Sequence, residues 1–143
     1  MDFNSAMKAF ADTFSLAIEP SDGAVVLDFN SIPVSFMDAG DAVVIHAPIG
    51  EPRQDAEAGL LHSMLAANAA LADEGFAICQ DNATYGFAIV RSASVETLDA
   101  DSLAEIVASL VPLSTEWRRK ARRAAVHDFR QLNNIFKEAV KWR

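Results

Sequence analysis

Apolar side chains recur at steps of three and four through residues 2–18, at Phe3, Met7, Phe10, Phe14 and Ile18, with Ala6 and Ala17 beside them. That spacing predicts one stripe of an amphipathic helix. Asp2 or Asn4 can cap its start, and Pro20 with Gly23 ends it. The period then changes to two. Val25, Leu27 and Phe29 share one face of a strand with Asp28 on the other, and after Asn30-Ser31 the positions Ile32, Val34 and Phe36 alternate with Pro33 and Ser35. Pro33 has no amide to give a ladder, which places it at an edge or a strand start. Asp38-Ala39-Gly40-Asp41 is a turn by composition. The stretch from Ala42 to Ala47 is apolar on both faces except at His46, as a central strand requires. Short connections favour an antiparallel meander of these three strands.

Pro48, Gly50 and Pro52 break the chain before a second helix, expected from about Asp55 to Asp73. Its apolar stripe is Leu60, Leu61, Met64, Leu65, Asn68 and Leu71, and the alanines around it allow close packing on the sheet or on a second copy of the helix. Gly75 terminates it. Strands over Phe76–Gln80 and Tyr85–Arg91 follow, joined by Asp81-Asn82-Ala83-Thr84, a second hairpin signal. Asp99, Asp101 or Ser102 can cap a last helix whose apolar positions are Leu103, Ile106, Val107, Leu110, Leu113 and Trp117, and Ser102 with Glu105 has capping-box spacing. Pro112 is expected to kink it. Ala121, Ala125, Phe129, Leu132, Phe136 and Val140 extend the helical spacing, as a continuation or as a separate element after a bend. The order α-β-β-β-α-β-β-α predicts an α+β domain on a twisted antiparallel five-stranded sheet, with a C-terminal helical extension.

The 143 residues, 51% of them hydrophobic, are enough for one domain with a substantial core and too apolar for a disordered chain. Cys79 has no partner for a disulfide within the chain. No run of eighteen apolar residues predicts a membrane span, and Asp2 and Asp12 stand where a secretory signal would carry bases. A soluble cytoplasmic domain is expected. The net charge of −8 divides unevenly: residues 1–117 carry −15, and residues 118–143 carry +7.

Candidate chemistry is sparse. His46, His62 and His127 lie in different elements with no helical i, i+4 pair, so no metal site is expected. Phosphate-cradling glycine loops and a nucleophile elbow are absent. Cys79 beside His46 can be drawn as nucleophile and base, but its strand of apolar neighbours reads as a buried structural thiol. Paired acids such as Asp99 and Asp101 fall at helix ends, where capping explains them. Arg118-Arg119-Lys120 and Arg122-Arg123 form a local basic patch, yet a body of −15 repels a long polyanion, so no nucleic-acid partner is expected. The bases read as a solvated helix face that pairs with the acidic body or with a partner. No enzyme and no cofactor are expected. What stands out is an excess of apolar side chains on the first helix and the first three strands, which can mark a protein-binding surface.

The amphipathic first helix and the meander are followed by Leu60-Leu61-His62-Ser63-Met64-Leu65-Ala66-Ala67-Asn68, then Phe87-Ala88-Ile89-Val90, then Leu98-Asp99-Ala100-Asp101-Ser102-Leu103, and a closing helix with Trp117-Arg118. From residue 2 to residue 120 this ordered set resembles the type III secretion chaperones of the Tir-chaperone (CesT-like) family, the class I chaperones that escort individual effectors. The second-helix segment is similar to the family's Leu-Leu-x-x-Asn helix. The resemblance implies a homodimer that wraps the extended N-terminal segment of a secreted effector and keeps it secretion-competent, without catalysis. It implies effector contacts at Phe3, Phe10, Phe14, Val34, Phe36 and Val44, and a dimer interface through Leu61, Met64, Leu65, Asn68 and Phe76. Residues 1–120 are then the chaperone-like domain. Residues 121–143 are a basic amphipathic extension that braces the body, covers a patch or contacts secretion-system components. A non-enzymatic adaptor or regulator that binds folded partners through the same fold is the alternative.

Overall fold

The computed structural model describes residues 2–18, 22–50, 58–80 and 86–141, the last segment with side chains as far as Arg122. Helix α1 (Phe3–Phe14) is followed by strands β1 (Ala24–Phe29), β2 (Ile32–Asp38) and β3 (Ala42–Pro48). Helix α2 (Ala58–Leu71) with a single 3-10 turn (Ala72–Glu74), strands β4 (Phe76–Gln80) and β5 (Phe87–Ser94), and helix α3 (Ala100–Lys141) complete the chain. The α+β order is the one the periodicity predicts. Of the expected features, Pro20, Pro52, the helix start at Asp55, the Asp81–Thr84 turn and the side chains of the basic tail lie outside the described residues.

Local chemistry sets the element ends. Asp2 caps α1 by accepting the Ser5 amide at 2.7 Å. The helix stops at Phe14, earlier than residue 18, because Ser15 turns left-handed (φ 54°) and returns its amide to the Ala11 carbonyl. Leu16 and Ile18 still pack against the core beyond that stop. Asn30 and Ser31 both have positive φ, 51° and 67°, the twist that a two-residue hairpin needs between β1 and β2. Gly75, at φ 81°, closes the turn after α2 with its amide on the Ala72 carbonyl. Asp99 caps α3, accepting both the amide and the hydroxyl of Ser102 at 2.7 Å, so the Ser102–Glu105 spacing is not the cap.

All neighbours in the sheet are antiparallel, in the order β1-β2-β3-β5-β4. The central strand is β3, as its two apolar faces predict. Pro33 pairs with Asp28 of β1 and precedes the first β2–β3 pair, Ser35 with His46, so its missing amide costs no ladder bond on that side. Alternation gives the sheet two unlike faces. One carries Val25, Leu27, Phe29, Val34, Phe36, Val43, Ile45, Ala47 and Ile89, and α1 and α3 cover it with Phe3, Met7, Phe10, Leu103, Ile106 and Leu110. Phe10 is the knot of this layer, its ring centroid 5.8 Å from Phe36, 6.5 Å from Phe29 and 5.2 Å from Phe14.

Helix α3 passes through Pro112 without interruption, so the tail continues it and is not a separate element. The proline is exposed, and its missing amide leaves the carbonyl one turn earlier without that helix bond. Two residues on, the fully buried Ser114 donates its hydroxyl to the Pro48 carbonyl at 2.9 Å and ties the helix to the end of β3.

Candidate functional site

The second face of the sheet is where apolar side chains meet solvent. Its register places Ala24, Met37 and Val44 in one cross-strand row and Val26, Ser35, His46 and Val90 in the next. Val26 is 61% exposed and Met37 40%, while Val44 and Val90 are half-buried. β1 is the outer strand of the sheet, so one side of its backbone faces away from β2. Near it, Phe14 at the end of α1 is 45% exposed and stacks on Phe10, with half-buried Leu27 and Phe29 on β1 itself. An outer strand beside apolar side chains has the two features by which an extended chain can be bound, backbone groups for hydrogen bonds and side chains for selectivity.

The six expected effector contacts divide on this geometry. Phe14 and Val44 reach the surface. Phe3, Phe10, Val34 and Phe36 are at most 3% exposed and belong to the core of the protomer. Val34 and Phe36 stand out because strand alternation is strongest on the covered face, and Phe3 and Phe10 belong to the helix stripe that covers it. Val26 and Met37, which the periodicity leaves out, are the exposed members of the same strands. Their signal is an apolar residue out of phase with the core set.

Helix α2 lies along β4, the other edge of the sheet. Of the five expected interface residues, Met64 and Phe76 are buried in the protomer, and Leu61 and Leu65 point outward, 38% and 72% exposed. The apolar pairs Leu60-Leu61 and Met64-Leu65 thus send one member inward and one outward. Asn68 faces β4: its carboxamide nitrogen donates to the Ile78 carbonyl at 3.1 Å, and its oxygen accepts the Ile78 amide at 2.7 Å. One side chain stands in for a neighbouring strand at that point of the edge. Cys79, expected to be buried, is exposed on β4, because it falls on the face opposite Phe76 and Ile78. Arg91 sits on the core face opposite Ile45 and Phe76, its guanidinium 5.4 Å from the Phe76 ring centroid, an arrangement that strand alternation alone did not reveal.

Among the described residues no group of three or more His, Cys, Asp or Glu side chains could hold a metal ion, and no helix is long and apolar enough to cross a membrane. The carboxylates held below the ordinary value of 3.8 are Asp2 and Asp99, by the backbone and then the side-chain hydrogen bonds of Ser5 and Ser102. Both are helix caps.

Solved structures share this fold. A chain of the HopA1-SchA chaperone–effector complex superposes with a TM-score of 0.67 at 16% identity, covering 82% of this chain and 93% of that one. A chain of the ExsC-ExsE complex gives 0.68 at 14%, with coverage of 83% and 96%. The Yersinia pestis type III secretion chaperone SycH, in complex with a stable fragment of YscM2, gives 0.62 at 14%, with coverage of 80% and 98%. No curated protein matches the chain significantly in sequence. The model of the Tir chaperone protein (CesT) family matches residues 5–118, from within α1 to the middle of α3 and through every strand, and the chain belongs to that family.

Proposed function

We propose that the protein is a homodimeric, cytoplasmic chaperone of type III secretion that binds the extended N-terminal segment of an effector and keeps it secretion-competent. The observation that carries this reading is an open β1 edge flanked by exposed apolar side chains, in a chain of the Tir chaperone family. The client segment lies along the outer side of β1, beside the exposed row of Ala24, Met37 and Val44. It adds a strand beside β1, the outer strand of the sheet, and it stays non-globular because its apolar side chains are occupied by the chaperone. The ordering cost of the segment keeps affinity per unit area modest, which permits release. The body's −15 favours a neutral or basic client and speeds its encounter. The protein acts by binding, without cofactor or catalysis. Dimerisation uses the outward face of α2, where Leu61 and Leu65 lose their exposed area against a second copy.

The test is retention of the client recovered on the tagged protein from its native cells. Val26→Asp with Met37→Asp places two charges on the receptor face without touching the core. The double variant is expected to lose the client while circular dichroism and mass stay unchanged. Full retention refutes the assignment of this face.

A further inference from the structure

The hairpin turn at Asn30-Ser31 and the middle of α3 enclose an open cleft of about 720 Å³ on the opposite side of the sheet from the receptor face. Buried Ile32 and half-buried Val111 give it an apolar lining, and Arg118, Arg119 and Arg122 stand along one rim. The one acid in the lining, Glu116, is bound to Lys120 at 3.2 Å, so its charge is locally balanced. Among the described residues no ion pair engages any of the three arginines. This is the reverse of the rest of the body, where residues 1–117 carry −15.

We propose that this cleft is a docking site for a short segment of a partner protein in which carboxylates alternate with apolar residues. Charge complementarity selects that occupant. Guanidinium forks match carboxylates in planar, paired geometry, and the apolar lining takes the side chains between them. From Val111 to Arg122 the helix rises about 16 Å at about 1.5 Å per residue. That is the span of about five extended residues. Over so short a length screening confines each charge to its neighbours within about 8 Å. The segment therefore feels the three arginines more than the distant acidic body. A nucleic acid continues past the cleft and meets that body, which disfavours it. The site is separate from the β1 receptor and does not depend on its being one.

The probe is a fluorescein-labelled peptide of about five residues alternating glutamate and leucine, matched to the cleft length, followed by fluorescence anisotropy with the full chain. Binding is expected to weaken as salt rises, and to be absent when glutamine replaces every glutamate. Exposed pairs contribute at most about fivefold each, so Arg118→Glu with Arg119→Glu and Arg122→Glu is expected to weaken binding, by up to about a hundredfold. Thr115→Trp fills the cleft without changing charge, and is expected to do the same while the helix signal stays intact. The proposal is overturned if the triple variant binds as the parent does. It is equally overturned if Arg130→Glu with Lys137→Glu causes as large a loss, or if single-stranded DNA of equal length binds more tightly than the peptide.

Discussion

Replacing Asn68 by alanine removes both hydrogen bonds that hold the outer backbone of β4 at Ile78, one at 2.7 Å and one at 3.1 Å. Each is part-buried, so water makes incomplete amends, and a net contribution of about 1 kcal/mol apiece gives a loss of about 2 kcal/mol. Alanine is the better helix former by about 0.5 kcal/mol, leaving an expected destabilisation of about 1.5 kcal/mol. The measurement is urea unfolding followed by the fluorescence of buried Trp117, in a Trp142→Phe background so that one indole reports. Protomer concentration is held fixed, because any association adds to apparent stability. A shift of the midpoint at constant slope is expected. Asn68→Asp keeps the acceptor for the Ile78 amide but turns a carboxylate toward the Ile78 carbonyl, and is expected to cost at least as much as alanine at neutral pH. A loss below about 0.5 kcal/mol for both variants refutes the view that this carboxamide secures the sheet edge.

Other predictions test other layers of the structure. Leu61→Glu with Leu65→Glu is expected to convert a dimer into a folded monomer by light scattering, because both side chains point out of the protomer; an unchanged mass contradicts the interface assignment. Phe36→Ala is expected to cost about 3–5 kcal/mol in urea unfolding, as a fully buried ring does. Phe14→Ala, whose ring is 45% exposed, is expected to cost no more than about half of that. Comparable losses at the two sites refute the division between core and surface. The Asp99 cap has a pH signature. Its folded carboxyl titrates below the ordinary 3.8, so its contribution is complete above that value and disappears as pH falls through the lower folded value. The stability gap between the parent and Asp99→Ala is therefore expected at neutral pH and should close in acid; a gap independent of pH counts against the ionised cap.

The elements were legible because each is a local matter of period and punctuation. The changes from steps of three and four to steps of two, the Asn30-Ser31 turn and Gly75 all stand in the chain itself. The one helix end that was misplaced, at Ser15, lacks the usual glycine and depends on a serine taking a left-handed backbone. The exposed apolar surface was harder to read for a structural reason. A sheet covered on one face shows its strongest alternation on that face, so Phe36 and Val34 announce the strand and are then buried by α1 and α3. Met37, one residue further, carries the exposure and looks like noise beside them. Helix α2 poses the same problem in another form: with apolar residues almost all round, no period separates Leu65 from Met64. Asn68 stood out as the one polar residue in that stripe, but its partner is the backbone of a strand ten residues on, and no side-chain pattern encodes such a contact.

Hydrogen exchange on the isolated complex, resolved by mass spectrometry along the client, tests the central claim most directly. The account predicts slowed exchange in an N-terminal stretch of the client and in β1 of the chaperone, with the client stretch exchanging freely once released. Protection spread over a folded client domain, with β1 unchanged, contradicts it.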